Sequence, residues 1–476
     1  MNADQKSLEP VGRLYPTHPG ADNSRYSSSK RSQLISLTID LSTKSSPTYL
    51  PPHWSAHVQP EGKQYFYHDG ELAAVTESWM YSPEIATEAE KWIDQLTIKI
   101  KEKGIDLASA ELYIRIDEDS DCLYYGVDKR DQTLFWIEEY GTEELGFPPV
   151  VSPSHLRTLL EVYYWSHIDR FPAHFGGLPE SVLLKLCDVM THCRMDQITS
   201  TGATFSYSPV DTVAMVKVLK ACRGRAQEPE IVSTIARAWH LVQYNRYEIQ
   251  YGEEVSRLDL SMSIKEDEPE REGLAKRIFA FLSFGQSEKY RAKLNSLNID
   301  KNVYAHRFHA FITDLVKEWK EQYLPSFCML FLHLTFFQLV ASQTAAAVSA
   351  AFFSTSLLTA FALVQQHDSL LPHHNCADEA VNWISDRCRK TYNFQRIAFA
   401  LALPRTFFNW GLIVFFGQWL YIALSHLSTR MAVTFLGIIG LLYFAFFLVT
   451  APETIPTFSV PRCFRRKHSP EDESMV

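Results

Sequence analysis

LPSFCMLFLHLTFFQLVASQTAAAVSAAFFSTSLLTAFALV, residues 324–364, contains no Asp, Glu, Lys or Arg. A helix needs about 20 apolar residues, at about 1.5 Å each, to cross the hydrocarbon of a bilayer. The run is about twice that length, so it reads as two helices joined by a tight turn at Ser342-Gln343-Thr344, its most polar point. Two more charge-free apolar runs follow, from about Arg405 to Leu427 and from Met431 to Ala451. Pro404 and Pro452 are read as end positions, where proline interrupts no hydrogen-bond ladder. The reading is about four transmembrane helices. They form hairpins over 324–364 and 404–452, with a loop over 365–403 and a tail over 453–476. Large buried core helices are the competing reading, and three separate charge-free runs speak against it.

Lys and Arg counting gives an orientation. The Ser342–Thr344 turn carries none, and the turn between the last two helices carries only Arg430. The middle loop carries Arg387, Arg389, Lys390, Arg396 and Arg405, and the tail Arg462, Arg465, Arg466 and Lys467. Four helices then leave both termini and the middle loop in the cytosol. No charge lies mid-span, which gives ion or proton transport little support. His333, Gln338, Asn409, Gln418 and His426 are read as helix–helix or interfacial contacts rather than as a polar path.

The 476 residues are enough for several domains, and a net charge of -9 argues against a nucleic-acid partner. Eight cysteines show no CxxC spacing, so neither a zinc site nor a redox motif is signalled. No basic-then-apolar leader opens the chain, and the front is read as cytosolic with reduced thiols. Residues 1–48 are rich in Ser, Pro, Thr and charge and read as a disordered tail.

Order is expected from Leu50-Pro51-Pro52-His53-Trp54, followed by Gly62-Lys63 and Tyr65-Phe66-Tyr67-His68. A strand, a glycine turn and an aromatic strand describe an antiparallel meander. A second aromatic segment runs from Tyr124-Tyr125-Gly126-Val127-Asp128 to Thr133-Leu134-Phe135-Trp136, after the alternating run Glu111-Leu112-Tyr113-Ile114-Arg115-Ile116. Between them Ser82 to Lys103 has helical spacing. Ser82 is placed to cap it, Pro83 and Glu84 lie in its first turn, and Gly104 follows its end.

The first segment resembles the opening of a WW domain (LPxxW, then G[KR]xYF, then His), and the second resembles that family's later strands. The resemblance covers about 90 residues and is partial in both copies. It implies that Trp54 holds the fold and that Phe66, Tyr125 and Trp136 face a polyproline-type peptide. The second Trp of the first copy is absent near Val75-Thr76, and Gly126 stands where the second copy should carry an aromatic residue. Two such units bridged by a helix over 49–150 can pack as one α+β unit, and the aromatics then serve equally well as its core. Phe147-Pro148-Pro149-Val150 is either a linker or an internal occupant lying across Trp136.

Residues 151–323 keep helical periodicity throughout, broken at Gly176-Gly177-Leu178-Pro179, Ser208-Pro209, Glu228-Pro229 and Gly285. This reads as an all-helical cytosolic domain of six or seven helices. Its polar candidates are His167 with Asp169 and Arg170, His174, His192 with Cys193, and Tyr304 to His309. None matches a catalytic motif. His367, His373, His374, Cys376 and Cys388 cluster in the 365–403 loop without ligand spacing, so no metal or other cofactor is assigned. Asp378 to Phe399 reads as an amphipathic helix suited to the inner leaflet. Cys463, beside four basic residues, is a candidate lipidation site.

The layout also resembles a family of proteins from mushroom-forming fungi with an LxPVVSPSHL-type segment, here Leu145 to Leu156, and an FPxHFGGLPE segment, here Phe171 to Glu180. That resemblance implies the architecture and no particular activity. The expectation is therefore a multi-domain membrane protein: small WW-like meanders, a helical cytosolic domain and a helical membrane region. It would act as an adaptor for a proline-rich or other peptide. A membrane-shaping protein is the alternative, and an enzyme without a recognisable motif is third.

Overall fold

The computed structural model describes residues 10, 12–21, 49–117, 120–200, 202–264, 274–300, 302–336, 343–370, 377–387 and 394–450. It forms two compact units. The first comprises Met1–Glu272, Arg291–Ile312 and Pro372–Phe394; the second comprises Gly273–Tyr290, Thr313–Leu371 and Gln395–Val476.

A seven-stranded sheet organises the first unit. Its strands are β1 (Leu14–Pro16), β2 (Trp54–Val58), β3 (Gln64–Asp69), β4 (Ala73–Thr76), β5 (Ala110–Ile116), β6 (Cys122–Asp128) and β7 (Thr133–Phe135). The spatial order is β1-β6-β5-β4-β3-β2, with β7 also paired to β6. The two meanders, β2-β3-β4 and β5-β6-β7, are antiparallel. They join through a parallel β4–β5 pair, spanned by helix α1 (Pro83–Glu102), because parallel neighbours need a crossover. The aromatic segments are thus the halves of one sheet.

Strand β1 corrects the expectation of a disordered tail over 1–48. Leu14–Pro16 pairs in parallel with Cys122–Tyr124, while β7 takes the other end of the same edge, from Gly126 to Asp128. Three residues leave almost no periodic trace in a sequence, so the strand is legible only once β6 is in place. Residues 22–48 lie outside the described residues.

Side chains alternate across the sheet as strand geometry requires. Trp54, Phe66, Ala74, Leu112, Ile114 and Tyr124 pack against Ala89, Trp92, Ile93 and Leu96 of α1. Tyr65, Val75, Tyr113, Tyr125 and Val127 face the other way. There they meet α2 (Pro153–Arg170), α3 (Glu180–Thr199) and α5 (Pro229–Glu248), and α4 (Pro209–Ala221) contributes to the same core. Ser152 and Ser208 cap α2 and α4 by accepting from His155 N–H and Asp211 N–H. The separate all-helical domain over 151–323 is corrected accordingly: α2 to α5 form one layer of a three-layer unit. Periodicity shows that a helix has an apolar face; it does not show that the face covers a sheet.

The chain continues through α6 (Leu274–Leu282), α7 (Gln286–Leu297), the hairpin β8 (Asn298–Ile299) and β9 (Asn302–Val303), α8 (Ala305–Glu321), α9 (Tyr323–Phe336), α10 (Gln343–His367), α11 (Ala377–Arg387), α12 (Gln395–His426) and α13 (Thr429–Thr450). Helix α11 buries Ala380, Trp383 and Ile384. The Trp383 ring meets Phe308, with centroids 5.4 Å apart. The apolar face expected to lie along a leaflet is therefore spent inside the first unit, and the single helix expected from Asp378 to Phe399 is instead two.

Among the described residues, three helices of the second unit, α10, α12 and α13, are long and apolar enough to cross a membrane, against an expectation of about four. Helix α9 has 14 described residues, about 21 Å at 1.5 Å per residue, and residues 337–342 lie outside the described residues. Helix α12 starts ahead of Pro404, so that proline is internal, not terminal as expected. A proline removes one N–H and crowds the carbonyls one turn back. Trp319 Nε1–H donates to Leu401 O at 3.2 Å, and Ser356 Oγ donates to Pro404 O at 2.7 Å. The Leu401 carbonyl, in the turn that Pro404 crowds, thus finds a donor on a facing helix, while the bonds of Ser356 and of Ser349 (Oγ to Gly411 O at 3.2 Å) tie α10 to α12.

Candidate functional site

The chemically densest place in the described residues lies on the helical face of the sheet. Strand β5 alternates Glu111, Tyr113 and Arg115 toward that face, so the parity that buries tyrosine also buries a carboxylate. Glu111 is 0% exposed. Its Oε1 accepts from His167 Nε2–H at 2.8 Å. Both its oxygens lie 3.1 Å from His174 Nε2, and Lys129 Nζ lies 2.6 Å from Oε2. His167 comes from α2 and His174 from the loop that follows it.

A carboxylate only accepts, so each imidazole carries its proton on Nε2 and leaves Nδ1 as an acceptor. Tyr125 O–H donates to Nδ1 of His167 at 3.0 Å, and Tyr65 O–H to Nδ1 of His174 at 3.2 Å. The Tyr65 oxygen in turn accepts from the N–H groups of Ala173 and His174 at 2.9 and 3.3 Å. Tyr67 stacks on His174 with centroids 4.3 Å apart. Burial pushes the Glu111 carboxyl up, but His174 and His167 outweigh it and hold the group well below the usual range. Burial holds His167 below its ordinary value despite Glu111. The network is a carboxylate serving two histidines and a lysine, with its oxygens fully engaged. It ties α2 and the 171–177 loop to the sheet and leaves no acceptor free for a substrate. No group of three His, Cys, Asp or Glu side chains among the described residues is arranged to hold a metal ion.

The WW-like candidates are accounted for in the packing on the two faces of the sheet. Trp54 and Phe66 lie against α1, and Phe66, 0% exposed, sits edge-on to Tyr81 with centroids 5.2 Å apart. Tyr125 is 1% exposed, stacked on Tyr113 at 4.7 Å and bonded to His167. Trp136 donates its indole N–H to Thr17 O at 3.0 Å, and its ring meets Phe147 at 5.8 Å. The chain's own residues thus occupy the places where the resemblance implies a peptide. Phe147 lies on Trp136 while Tyr247 O–H donates to Pro149 O at 2.7 Å, so the stretch read as linker or occupant packs internally. Gly126 stands where the family carries an aromatic because Phe135 covers it: an added Cβ would meet that ring at 2.3 Å.

Sequence reading named His167 and His174 without joining them, and it missed Glu111 as a site residue. The available signal was a single acid at inward parity in an otherwise apolar-aromatic strand. Cys463, His373, His374, Cys376 and Cys388 lie outside the described residues. Comparison with protein-family models, curated proteins and solved structures finds no match for this chain.

Proposed function

We propose that this protein is a membrane-anchored interaction protein: two helical hairpins hold it in a bilayer and present the sheet-based unit on the cytosolic face, where it recruits an extended peptide. The observation that carries the reading is the packing of α11. In sequence α11 lies between α10 and α12, yet Trp383 meets Phe308 within the same compact unit as the sheet. That packing favours an even number of crossings between Ile312 and Ala377. With α10 long enough to cross, α9 and the residues after it are the natural second crossing. Helices α12 and α13 form the second pair and return the tail to the starting side. The Lys and Arg of the middle loop and tail favour the cytosol for that side.

Energy favours lipid around these helices. Eleven large apolar side chains of α13 are exposed, from Met431 to Phe446. At about 1.5–3 kcal/mol each, their hydration would exceed the stability of a typical domain, about 5–15 kcal/mol. The topology is tested by protease protection in sealed vesicles with a tag at each terminus. Both tags are expected to be digested from the cytosolic side; a protected C-terminal tag beside a digested N-terminal one would overturn the four-helix reading.

A membrane-shaping role is favoured by a different observation. Helix α6 exposes Ile278 and Phe281. It sits on α12 through a Phe279–Phe399 stack at 4.6 Å and a Trp410 Nε1–H bond to Leu282 O at 3.0 Å. An amphipathic helix beside a membrane helix suits an interfacial position. If it bends membranes, Ile278→Glu with Phe281→Glu will abolish liposome tubulation while leaving insertion unchanged. Undiminished tubulation would remove this reading.

A further inference from the structure

Strand β2 ends the sheet, and its outer edge has no partner among the described residues. Asp69 N–H donates to His53 O and Gln59 N–H to Lys63 O. In the β2–β3 register these are hydrogen-bonded pairs, so Ser55 and His57 also turn their backbone groups toward β3. Ala56 and Val58 then direct N–H and C=O outward, as alternation in an antiparallel ladder requires. Trp54–Val58 carries no Lys, Glu, Asp or Pro, the residues with which folded proteins blunt an open edge. Val58 is 59% exposed.

The edge runs into a cleft. The turn after Val58, residues 59–61, lines a cavity of about 100 Å³ together with α2 and α5. A site needs only about 10–15 Å³ by this measure to hold one water, so there is room for a small charged group. Of the four charged side chains in the wall, three satisfy one another. Arg237 bonds Asp169 at 3.0 Å and Glu61 at 2.7 Å, and Ser233 Oγ donates to Asp169 at 2.5 Å. Arg170 lines the same cleft, and no ion pair or hydrogen bond engages its side chain among the described residues. Ser166, one turn earlier on α2, also has no side-chain partner there. One unmatched guanidinium calls for one negative charge. A carboxylate fits its two-pronged donor geometry, whereas a doubly charged phosphate would meet Asp169 and Glu61 at the rim.

We infer that the β2 edge and this cleft form one peptide-binding site: an extended peptide adds a strand along Ala56 and Val58 and places a carboxylate on Arg170, with Ser166 as a second donor. This rests on the interaction reading above and gives it a location and a ligand chemistry. Strand addition supplies backbone bonds of any sequence, and the cleft supplies the selection.

The test uses the full chain in lipid nanodiscs and fluorescence anisotropy of three labelled hexapeptides of alternating threonine and valine. The first ends in glutamate with an amidated C-terminus, the second in glutamine with the same amide, and the third in glutamine with a free carboxylate. The glutamate or the free-carboxylate peptide is expected to bind about tenfold more tightly than the neutral one, and which of them does so identifies the carboxylate as a side chain or a chain end. Arg170→Gln should erase the difference, and Arg170→Lys should restore only part of it. Methylating alternate amides of the peptide should abolish binding without altering the protein. Equal affinity of all three peptides, a difference that survives Arg170→Gln, or binding indifferent to amide methylation would each overturn the proposal. So would binding that emerges only after residues 22–48 are deleted, because the chain itself would then hold the edge. None of these outcomes bears on protease protection, so topology and site fail separately.

Discussion

Glu111 shows how one buried residue can organise a fold. Replacing it by alanine leaves two imidazole N–H groups and the Lys129 ammonium facing a void. Breaking a buried charged network costs about 3–5 kcal/mol; Lys129 is partly exposed and can turn to water, so about 3 kcal/mol is expected. In a tryptophan-fluorescence melt of Glu111→Ala this reads as a drop on the order of 10 °C. Acid should act in the same direction. Burial, opposed by the Leu145 carbonyl, lowers His18 from 6.5 to about 4, and burial lowers His167 too. The unfolded chain therefore gains protons below about 6.5 that the folded chain refuses. Glu111, held below 4.5, adds a loss at the acid end. Melting temperature should thus fall steadily from pH 6.5 to about 4, and His18→Leu should flatten part of that slope. His18 packs between Phe147 and Tyr163, so leucine keeps an apolar filling; an unchanged slope would remove His18 from this account. Tyr65, Phe66 and Tyr125 were legible as aromatic strand positions. Their roles were not, because a core aromatic and a ligand-facing aromatic look alike until the opposite layer is known.

Elements were read more reliably than their neighbours. Helix α1, both meanders and the breaks at Gly176-Gly177 and Pro229 follow from local chemistry that the sequence carries openly. The parallel β4–β5 junction, the docking of α2 on the sheet and the pairing of β1 join segments far apart in the chain, such as Ala73 with Glu111 and Leu14 with Cys122, and no local pattern encodes them. Gly126 makes the difference measurable. Restoring the aromatic that a WW domain carries there, Gly126→Tyr, drives the new side chain into Phe135. It should lower stability by about 1–3 kcal/mol or more through overpacking; a melt at or above the wild-type temperature would show that Phe135 yields freely. The internal proline of α12 is the converse case. Its position suggested a boundary, and only the Trp319 donor on a facing helix shows where a carbonyl crowded by the proline finds a partner.

At the scale of the molecule, charge distribution was the legible quantity: the apolar runs separated a polar front from a lipid-suited back before any fold was known. Three of the long apolar helices lie among the described residues, and α11 supplies the argument for parity. An acceptor site for N-linked glycosylation inserted between Leu427 and Ser428 should be modified in microsomes, and one inserted after Glu453 should not. The reverse result would place the turn between α12 and α13 on the same side as the front.

Trp383 against Phe308 also fixes an order of events. A ribosome releases residues 305–312 well before residues 377–387, and the charge-free run 324–364 lies between them. Phe308, fully enclosed in the finished protein, has no indole to rest on until that run has left the ribosome and α11 has followed it. The first unit therefore closes its last seam late in synthesis, and on the proposed topology it does so only after the chain has crossed the bilayer and returned.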